Sequence, residues 1–370
     1  MMRWFLLTVL LAPTMVWAQD KPADTPQAWV VAEMFAGGRY TATDGDDFNA
    51  FDLDRMEVGL GLRKTNLGGV FVNVETLRSA TPESLFGVDG NSLVLRAKHA
   101  FAFGDPELGP GRLRVALGLI ADPWIVTLED GYRLRSVRAL ASETSGFFDT
   151  SDLGVSLGYD LWDGFGELTV AWTNGEGRND IEQNTGKNAT VVASVRPWAP
   201  EIWGQTATLG LHAVWRDGSV GRGFAPNHRL GGAVTLTHPS FGFGAEFVQA
   251  TGTQDADVDA RLVSCWGDFD VLSHWLGVFA GFDFHTLNVD ASDTSVTTLQ
   301  GGVYSDVIAR APMTSWRHDI ASQPGLSRLR VALHGRSATY QAAAGALVGS
   351  PNLSNSYQIL LTVEAAGLVF

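Results

Sequence analysis

The feature that most constrains the fold is an alternation of apolar with small or polar side chains, repeated from residue 28 to the end of the chain. In the segment 111–122, Leu113, Val115 and Leu117 fall on one parity, and arginine, alanine and glycine occupy the other. A period of two residues is the pattern of a half-buried β-strand and not of a helix. The chain is therefore predicted to be all-β.

The predicted strands are long and even in number. Ten to twelve residues tilted by about 45° cross a bilayer. An even number of antiparallel strands with alternating faces is typical of a transmembrane β-barrel of the bacterial outer membrane, whose closure removes exposed sheet edges. We therefore predict such a barrel with about sixteen strands, at 28–40, 51–63, 68–79, 92–103, 111–122, 151–161, 166–174, 188–197, 205–216, 229–237, 241–251, 260–266, 275–288, 295–306, 327–340 and 356–370.

The lengths of the connections test this prediction, because outer-membrane barrels have short periplasmic turns and longer extracellular loops. Short connections fall on one side, at 64–67, 162–165 and 238–240. Long connections fall on the other side, at 41–50, 123–150, 175–187, 217–228 and 341–355. The long segment 307–326 lies on the short-turn side and does not fit. Either a strand boundary is misplaced there, or two further strands make eighteen.

Aromatic side chains are expected in two girdles at the membrane interfaces. Candidates lie at or near the ends of the predicted strands: Trp29, Tyr40, Trp162, Trp172, Trp203, Trp215 and Trp275. Membrane lipid and lipopolysaccharide are the partners that such a surface implies.

The composition excludes several other classes. After the amino terminus no run of about 18 apolar residues exists, which excludes a bundle of transmembrane helices. Cys265 is the one cysteine, so no intramolecular disulfide framework forms. A net charge of −14 argues against a nucleic-acid partner. The histidines show no HxxxH or HxH pair, so neither a metal nor a cofactor is predicted.

The two ends of the chain indicate export. Arg3 precedes the apolar segment Trp4–Leu11, and Val16-Trp17-Ala18 offers a cleavage site. Residues 1–18 are thus predicted to be a signal peptide, with 19–370 a single barrel domain. The chain ends on Phe370, an aromatic final residue of the kind that the barrel-assembly machinery recognises in outer-membrane proteins.

One stretch of the sequence resembles a known family. Gly118-Leu-Ile-Ala-Asp-Pro123 is followed by the basic segment Arg133–Leu140, by Asp152-Leu-Gly-Val-Ser-Leu-Gly158, and by Leu168–Gly177, which contains Asn174-Gly-Glu-Gly177. In this order the motifs resemble the phosphate-selective porin O and P family. The resemblance implies a trimeric outer-membrane porin that passes small ions and solutes through a water-filled channel, with a loop carrying a short basic helix folded inward.

The same loop stands out on physical grounds, because 123–150 is the third predicted extracellular loop, counted from the amino terminus, and the longest one. Apolar residues recur at roughly helical spacing over 127–142, so a short helix is predicted there. Folded into the lumen, the loop would supply a charged constriction, and rings of charge set pore selectivity. The predicted constriction residues are Glu129, Asp130, Arg133, Arg135 and Arg138. A solvated surface helix is the alternative.

If apolar positions face lipid, the other parity faces the pore. The predicted pore-lining residues of that parity are Arg96, Lys98, Arg112, Arg114, Arg328, Arg330 and Arg336. Rows of arginine favour anions such as phosphate, because each guanidinium offers paired hydrogen bonds to an oxyanion. A weak cation preference, or little selectivity because these arginines pair with acids of the wall, remains open. The alternative function is a barrel enzyme of lipase or protease type, but no catalytic motif is recognisable.

Overall fold

The computed structural model describes residues 26–43, 46–64, 67–78, 93–161, 164–178, 182–252, 258–273, 275–309, 325–341 and 356–369. Sixteen long antiparallel strands, numbered β1 to β16, follow one another along the chain. They are Gln27–Thr43, Asp46–Lys64, Gly68–Arg78, Leu93–Gly104, Gly111–Ala121, Ser151–Leu161, Gly166–Thr173, Asn188–Trp198, Thr208–Asp217, His228–His238, Phe241–Thr251, Asp259–Asp270, Gly277–Thr286, Ser295–Ala309, Gly325–Tyr340 and Ser356–Val369.

The sheet closes on itself, which confirms the predicted barrel. Each strand pairs with its neighbours in sequence, and β1 pairs both with β2 and with β16, where Val30 lies opposite Val369. The barrel formed by the described residues has sixteen long strands. β14 runs to Ala309 and β15 begins at Gly325, so both strands extend into the segment that did not fit. Residues 310–324 lie outside the described residues.

The prediction of a long loop at 41–50 is wrong. β1 and β2 continue through it as a hairpin in which Thr43 lies opposite Asp46. A register shift between Phe35 and Ala36 explains the error, because the extra residue Asp54 changes the phase of the alternation partway along β2. Asp46 and Asp47, which fall within the expected loop, belong to β2 and lie opposite Thr43 and Ala42 of β1.

Side chains of the two parities lie on the two faces of the barrel. The outer face carries exposed aliphatic residues, among them Leu60, Leu62, Val70, Val72, Leu117, Leu153, Val155, Leu157, Leu168, Val170, Leu230, Val234, Val263, Leu299, Leu333 and Leu361. Tyr40, Trp172, Trp215, Trp203 and Trp275 lie exposed at or near the strand ends, as predicted. Such an outer surface is suited to hydrocarbon between two aromatic girdles.

Trp29 was wrongly assigned to a girdle, because its side chain points inward and is buried. Its indole lies flat over Gly61 of β2, where an added Cβ would come within 2.1 Å of the ring. The ring stacks on Phe71 of β3, with centroids 6.4 Å apart. A glycine is required opposite this tryptophan, and the pair forms part of the inner wall.

The connection between β5 and β6, residues 122–150, enters the barrel, and we call it the inner loop. It contains two short helices, α1 (Pro123–Glu129) and α2 (Ala141–Thr144). The helix predicted over 127–142 is therefore wrong. Asp122 caps α1 by accepting hydrogen bonds from the backbone N–H groups of Trp124 and Ile125. Pro123 occupies the first turn, where a backbone N–H group would have no partner within the helix.

Neither helix of the described chain has the length and hydropathy needed to cross a membrane.

A hydrophobic core lies inside the barrel, between the inner loop and one half of the wall. The inner loop contributes Trp124, Ile125, Leu128, Tyr132, Leu134, Leu140, Ala141, Phe147 and Phe148. Each strand from β8 to β15 contributes at least one side chain, the set being Val192, Val214, Ala233, Val248, Ala250, Ala260, Leu262, Trp266, Phe279, Tyr304 and Ala332. These wall residues are apolar although they face the lumen, because the inner loop covers them.

Replacing Trp124 by alanine is expected to destabilise the protein by about 3–5 kcal/mol, because the indole is completely buried and would leave a cavity in this core. Urea unfolding followed by tryptophan fluorescence and heat-modified electrophoretic mobility measures the change. The matched control is Trp172→Ala on the outer face of β7, which should shift the midpoint much less. Equal shifts for both variants would contradict the internal core.

Candidate pore constriction

The path of the inner loop is defined by contacts with the wall at both ends of the barrel. We call the end from which the inner loop departs the loop end, and the other the short-turn end. At the loop end, Asp122 forms an ion pair with Arg216 of β9. The Arg229 Nε of β10 donates to the carbonyl of Phe147 over 2.8 Å. Between these points the inner loop descends deep into the barrel and returns.

Arg133 marks the deepest part. Its Nη2 donates to both carboxylate oxygens of Asp270, the last residue of β12, at 2.9 Å each. Its Nε lies 3.2 Å from Oδ2 of Asp268. The carbonyl of Arg133 accepts a hydrogen bond of 2.7 Å from Nη1 of Arg330 on β15. The predicted constriction residue Arg133 therefore holds the inner loop to the wall near the short-turn end.

Arg138 is a second anchor, on the ascending part. Its Nη2 donates to Oγ of Ser264 on β12 at 2.9 Å and forms an ion pair with Asp283 of β13. Only 6% of the side chain is exposed. The guanidinium thus points into the wall and away from the open part of the lumen. Gln300 of β14 adds a hydrogen bond of 2.6 Å to the carbonyl of Val137.

Arg135 points the other way, toward β1 and β2. Its guanidinium lies 3.1 Å from Glu57, 3.8 Å from Glu33 and 3.4 Å from Glu129 of the inner loop itself. Burial would lower the pKa of Arg135, but Glu129, Glu33 and Glu57 together raise it well above its usual value. With 29% of its side chain exposed, Arg135 is a permanent positive charge at the edge of the inner loop.

The two predicted acidic constriction residues end α1. Glu129 pairs with Arg135, as described above. Asp130 lies 3.6 Å from Arg196 of β8, toward the short-turn end. On the wall opposite the inner loop, Nζ of Lys98 on β4 donates a hydrogen bond of 2.7 Å to Glu57. Arg135, Lys98, Glu33, Glu57 and Glu129 therefore form one charged cluster between the inner loop and the wall of β1 to β4.

Among the predicted pore-lining residues whose side chains the structure describes, most are paired with acids. Arg96 pairs with Glu75 at 2.7 Å, and Arg114 with Asp160 and Glu167 at 2.8 and 2.5 Å. Arg330 pairs with Asp306 at 2.6 Å and stacks over the ring of Tyr304 at 4.1 Å. Arg336 is exposed, and Arg112 is partly buried on β5 opposite Asp160. The side chain of Arg328 lies outside what the structure describes.

Sequence reasoning missed several charged residues of the lumen. Arg178 lies 3.1 Å from Glu75 and 3.2 Å from Asp149, so it joins the wall to the end of the inner loop. It directly follows the Asn174–Gly177 motif, which could have drawn attention to it. Arg55 of β2 lies 3.4 Å from Glu57. Arg55 shares the parity of Glu57 in the sequence, and this is the signal that could have indicated its inward direction.

The inner wall also carries aromatic side chains that were not predicted. Phe71, Phe101 and Phe103 form a row on β3 and β4, with centroids 5.8 and 6.1 Å apart. Phe71 shares the parity of Glu75 in the sequence, and this is the signal that indicates its inward direction. The row extends the stack on Trp29 near the short-turn end.

Histidine contacts bear on the alternative of a barrel enzyme. His212 lies between Ser194 and Thr235, with each ring nitrogen 2.9 Å from a hydroxyl, so no carboxylate orients it. At the loop end, His228 pairs with Asp217. Within the described residues, neither member of that pair contacts a serine or a second carboxylate. No described group of three His, Cys, Asp or Glu residues is placed to hold a metal ion.

No protein-family model matches the chain, and no curated protein matches its sequence. Solved structures with a similar fold do exist. An anion-selective porin from Comamonas acidovorans aligns with a TM-score of 0.56 and 9% identity, over 92% of this chain and 100% of its own. The outer-membrane OmpT of Vibrio cholerae aligns with a TM-score of 0.57 and 8% identity, over 94% and 99%. Salmonella typhi OmpF in complex with daunomycin aligns with a TM-score of 0.56 and 13% identity, over 93% and 99%.

At these identities the comparisons establish the fold. The alignments cover at least 92% of this chain and at least 99% of each of these three structures. The chain is therefore a sixteen-stranded β-barrel with the fold of outer-membrane porins.

Proposed function

We propose that the protein is an outer-membrane porin, through which small hydrophilic solutes and ions diffuse passively. The observation that carries this proposal is the inner loop, which packs against β8 to β15 and presents a charged edge to β1 through β4. Sixteen strands enclose a lumen wider than wall side chains alone can fill. A loop that packs against one half of the wall narrows such a lumen, and this arrangement suits a diffusion channel.

The passage lies between the edge of the inner loop and the wall of β1 to β7. Arg135 and Glu129 line it from the inner loop, with 29% and 19% of their side chains exposed. Behind them, the largely buried Glu33, Glu57 and Lys98 of the wall complete the charged cluster. Charged rings at a narrow point determine which ions enter. The anchoring contacts of Arg133 and Arg138 support a role in holding the inner loop, so among the three arginines Arg135 is our candidate for contact with a permeating ion.

Selectivity is expected to be modest. Arg96, Lys98 and Arg114 each have a carboxylate partner, which offsets their charge. The motif resemblance to phosphate-selective porins, and an anion-selective protein among the structures of similar fold, support a weak preference for anions. Phosphate itself is the finer proposal and depends on the resemblance alone.

The remaining assignments follow from this function. We propose export by cleavage after residue 18, insertion through recognition of Phe370 by the barrel-assembly machinery, and contact with lipid and lipopolysaccharide. Residues 1–18 and Phe370 lie outside the described residues. A homotrimer is proposed from the resemblance, and the Vibrio cholerae OmpT structure is described as a trimer form.

Purified, heat-modifiable protein is expected to produce discrete conductance steps in a planar bilayer, because the narrowed lumen stays water-filled. Under a salt gradient in the same recording, we expect a small reversal potential whose sign indicates that anions permeate more readily than cations. Correctly folded protein that yields no steps would contradict the porin assignment. Release of fatty acid or cleavage of a peptide by the same sample would favour the barrel enzyme.

A further inference from the structure

A polar cavity of 330 Å³ lies at the loop end of the barrel, above the charged cluster. It is bounded by β2, by the ascending part of the inner loop and by the segment after β7. Its charged lining residues are Arg55, Arg178, Glu143 and Asp149. The volume falls at the lower end of the range of small-molecule sites, about 300–1,000 Å³.

The four charges differ in how far neighbouring residues already satisfy them. Arg178 and Asp149 pair with each other at 3.2 Å, and Arg178 also contacts Glu75. Arg55 has one described contact, a hydrogen bond of 3.4 Å from Nη1 to Glu57, so most of its N–H donors are available. The guanidinium of Arg55 can therefore donate hydrogen bonds to a carboxylate in this cavity.

Glu143 of α2 has a matching free acceptor. Its Oε1 accepts a hydrogen bond of 2.6 Å from the hydroxyl of Thr150, while its buried Oε2 has no partner among the described residues. Burial would raise the pKa of Glu143, but Arg55, the Thr150 hydroxyl and Lys98 hold it below its usual value. The group is thus an anion at neutral pH with an unsatisfied oxygen, which costs free energy unless a donor reaches it.

Arg55 and Glu143 both line the cavity, and no ion pair joins them in the described part of the chain. We propose that this cavity is a binding site for zwitterionic solutes of the α-amino-acid class, with the solute carboxylate on Arg55 and its ammonium on Glu143. The inference deepens the proposed function, since it names a solute class held at the entrance of the channel. A simple anion satisfies Arg55 alone, and a neutral sugar satisfies neither charge.

Single-channel recordings in about 0.1 M KCl test the proposal, because exposed charges are only moderately screened at that concentration. L-Glutamine is the zwitterionic probe, acetate the anionic one and D-arabinose the neutral one. We expect L-glutamine to interrupt the current transiently at concentrations at which acetate and arabinose do not. Glu143→Gln and Arg55→Gln are each expected to weaken this block by about tenfold or more, as a charged hydrogen bond is lost.

The matched controls are Glu182→Gln and Arg222→Gln, which make the same charge changes at described residues that do not line the cavity. Both should keep the block of the unaltered protein. Equal block by acetate would overturn the zwitterion assignment in favour of an anion site, and absence of L-glutamine block in a conducting channel would overturn the inference alone. If the protein does not conduct, the proposed function fails, and calorimetric titration of L-glutamine into the folded protein decides the inference separately.

Discussion

Replacing Arg133 and Arg138 together by methionine is expected to release the inner loop from the wall and to raise the single-channel conductance severalfold. Methionine keeps much of the apolar stem but removes the charge. Asp268, Asp270 and Asp283 then lose their guanidinium partners in the inner wall. Removing one partner of a buried pair costs about 3–5 kcal/mol, because the other charge stays buried and uncompensated.

The barrel should still assemble, because its strands pair through backbone hydrogen bonds that these side chains do not make. Heat-modified electrophoretic mobility checks assembly, and single-channel conductance with its open-state noise reports the inner loop. Arg336→Met is the control, since it removes the same charge from an exposed position on β15. Unchanged conductance and noise in a folded double variant would show that the hydrophobic core alone holds the inner loop.

The strands could be predicted because the membrane imposes one rule on all of them. Every lipid-facing position must be apolar, so a period of two persists from β1 to β16. Errors arose where this rule is locally broken. The register shift at Asp54 of β2 turned a paired hairpin into an expected loop. β12 runs to Asp270, beyond the predicted end at residue 266, and its last residues include Asp268 and Asp270, which pair with Arg133.

The direction of the loop arginines could not be predicted for a related reason. Asp270 lies 137 residues from Arg133 in sequence, and no local pattern connects them. Spacing within 127–142 suggested one short helix whose charges would together form the constriction. The structure instead divides the loop at α1, whose start is encoded by Asp122 and Pro123. Arg133, Arg135 and Arg138 consequently point to different parts of the wall.

The consequence for experiments is that the three arginines should not be replaced together. A triple variant would mix the loss of two anchors with the loss of one charge at the passage. Conductance and selectivity would then change for different reasons in the same recording. Arg135 has to be altered alone if the sign of the channel's selectivity is to be traced to a single group.

Arg135→Gln is expected to shift permeability toward cations by about fivefold, because one charge in a narrow aqueous pore biases ion occupancy by about 1 kcal/mol. The physical reason is the surplus of acid that remains, since the three carboxylates of Glu33, Glu57 and Glu129 would keep only Lys98 and Arg55 as described counter-charges. Glutamine keeps a hydrogen-bond donor and most of the side-chain length. The barrel and the anchors at Arg133 and Arg138 should be unaffected.

The reversal potential under a KCl gradient measures this shift, and Arg222→Gln at an exposed position near the loop end provides the control. The difference should nearly vanish at 1 M salt, where the Debye length shrinks to about 3 Å. Unfolding midpoints equal to that of the unaltered protein would separate the charge effect from any loss of structure. A reversal potential that stays unchanged at low salt would mean that permeating ions do not pass Arg135, and the passage would then have to lie elsewhere along the inner loop.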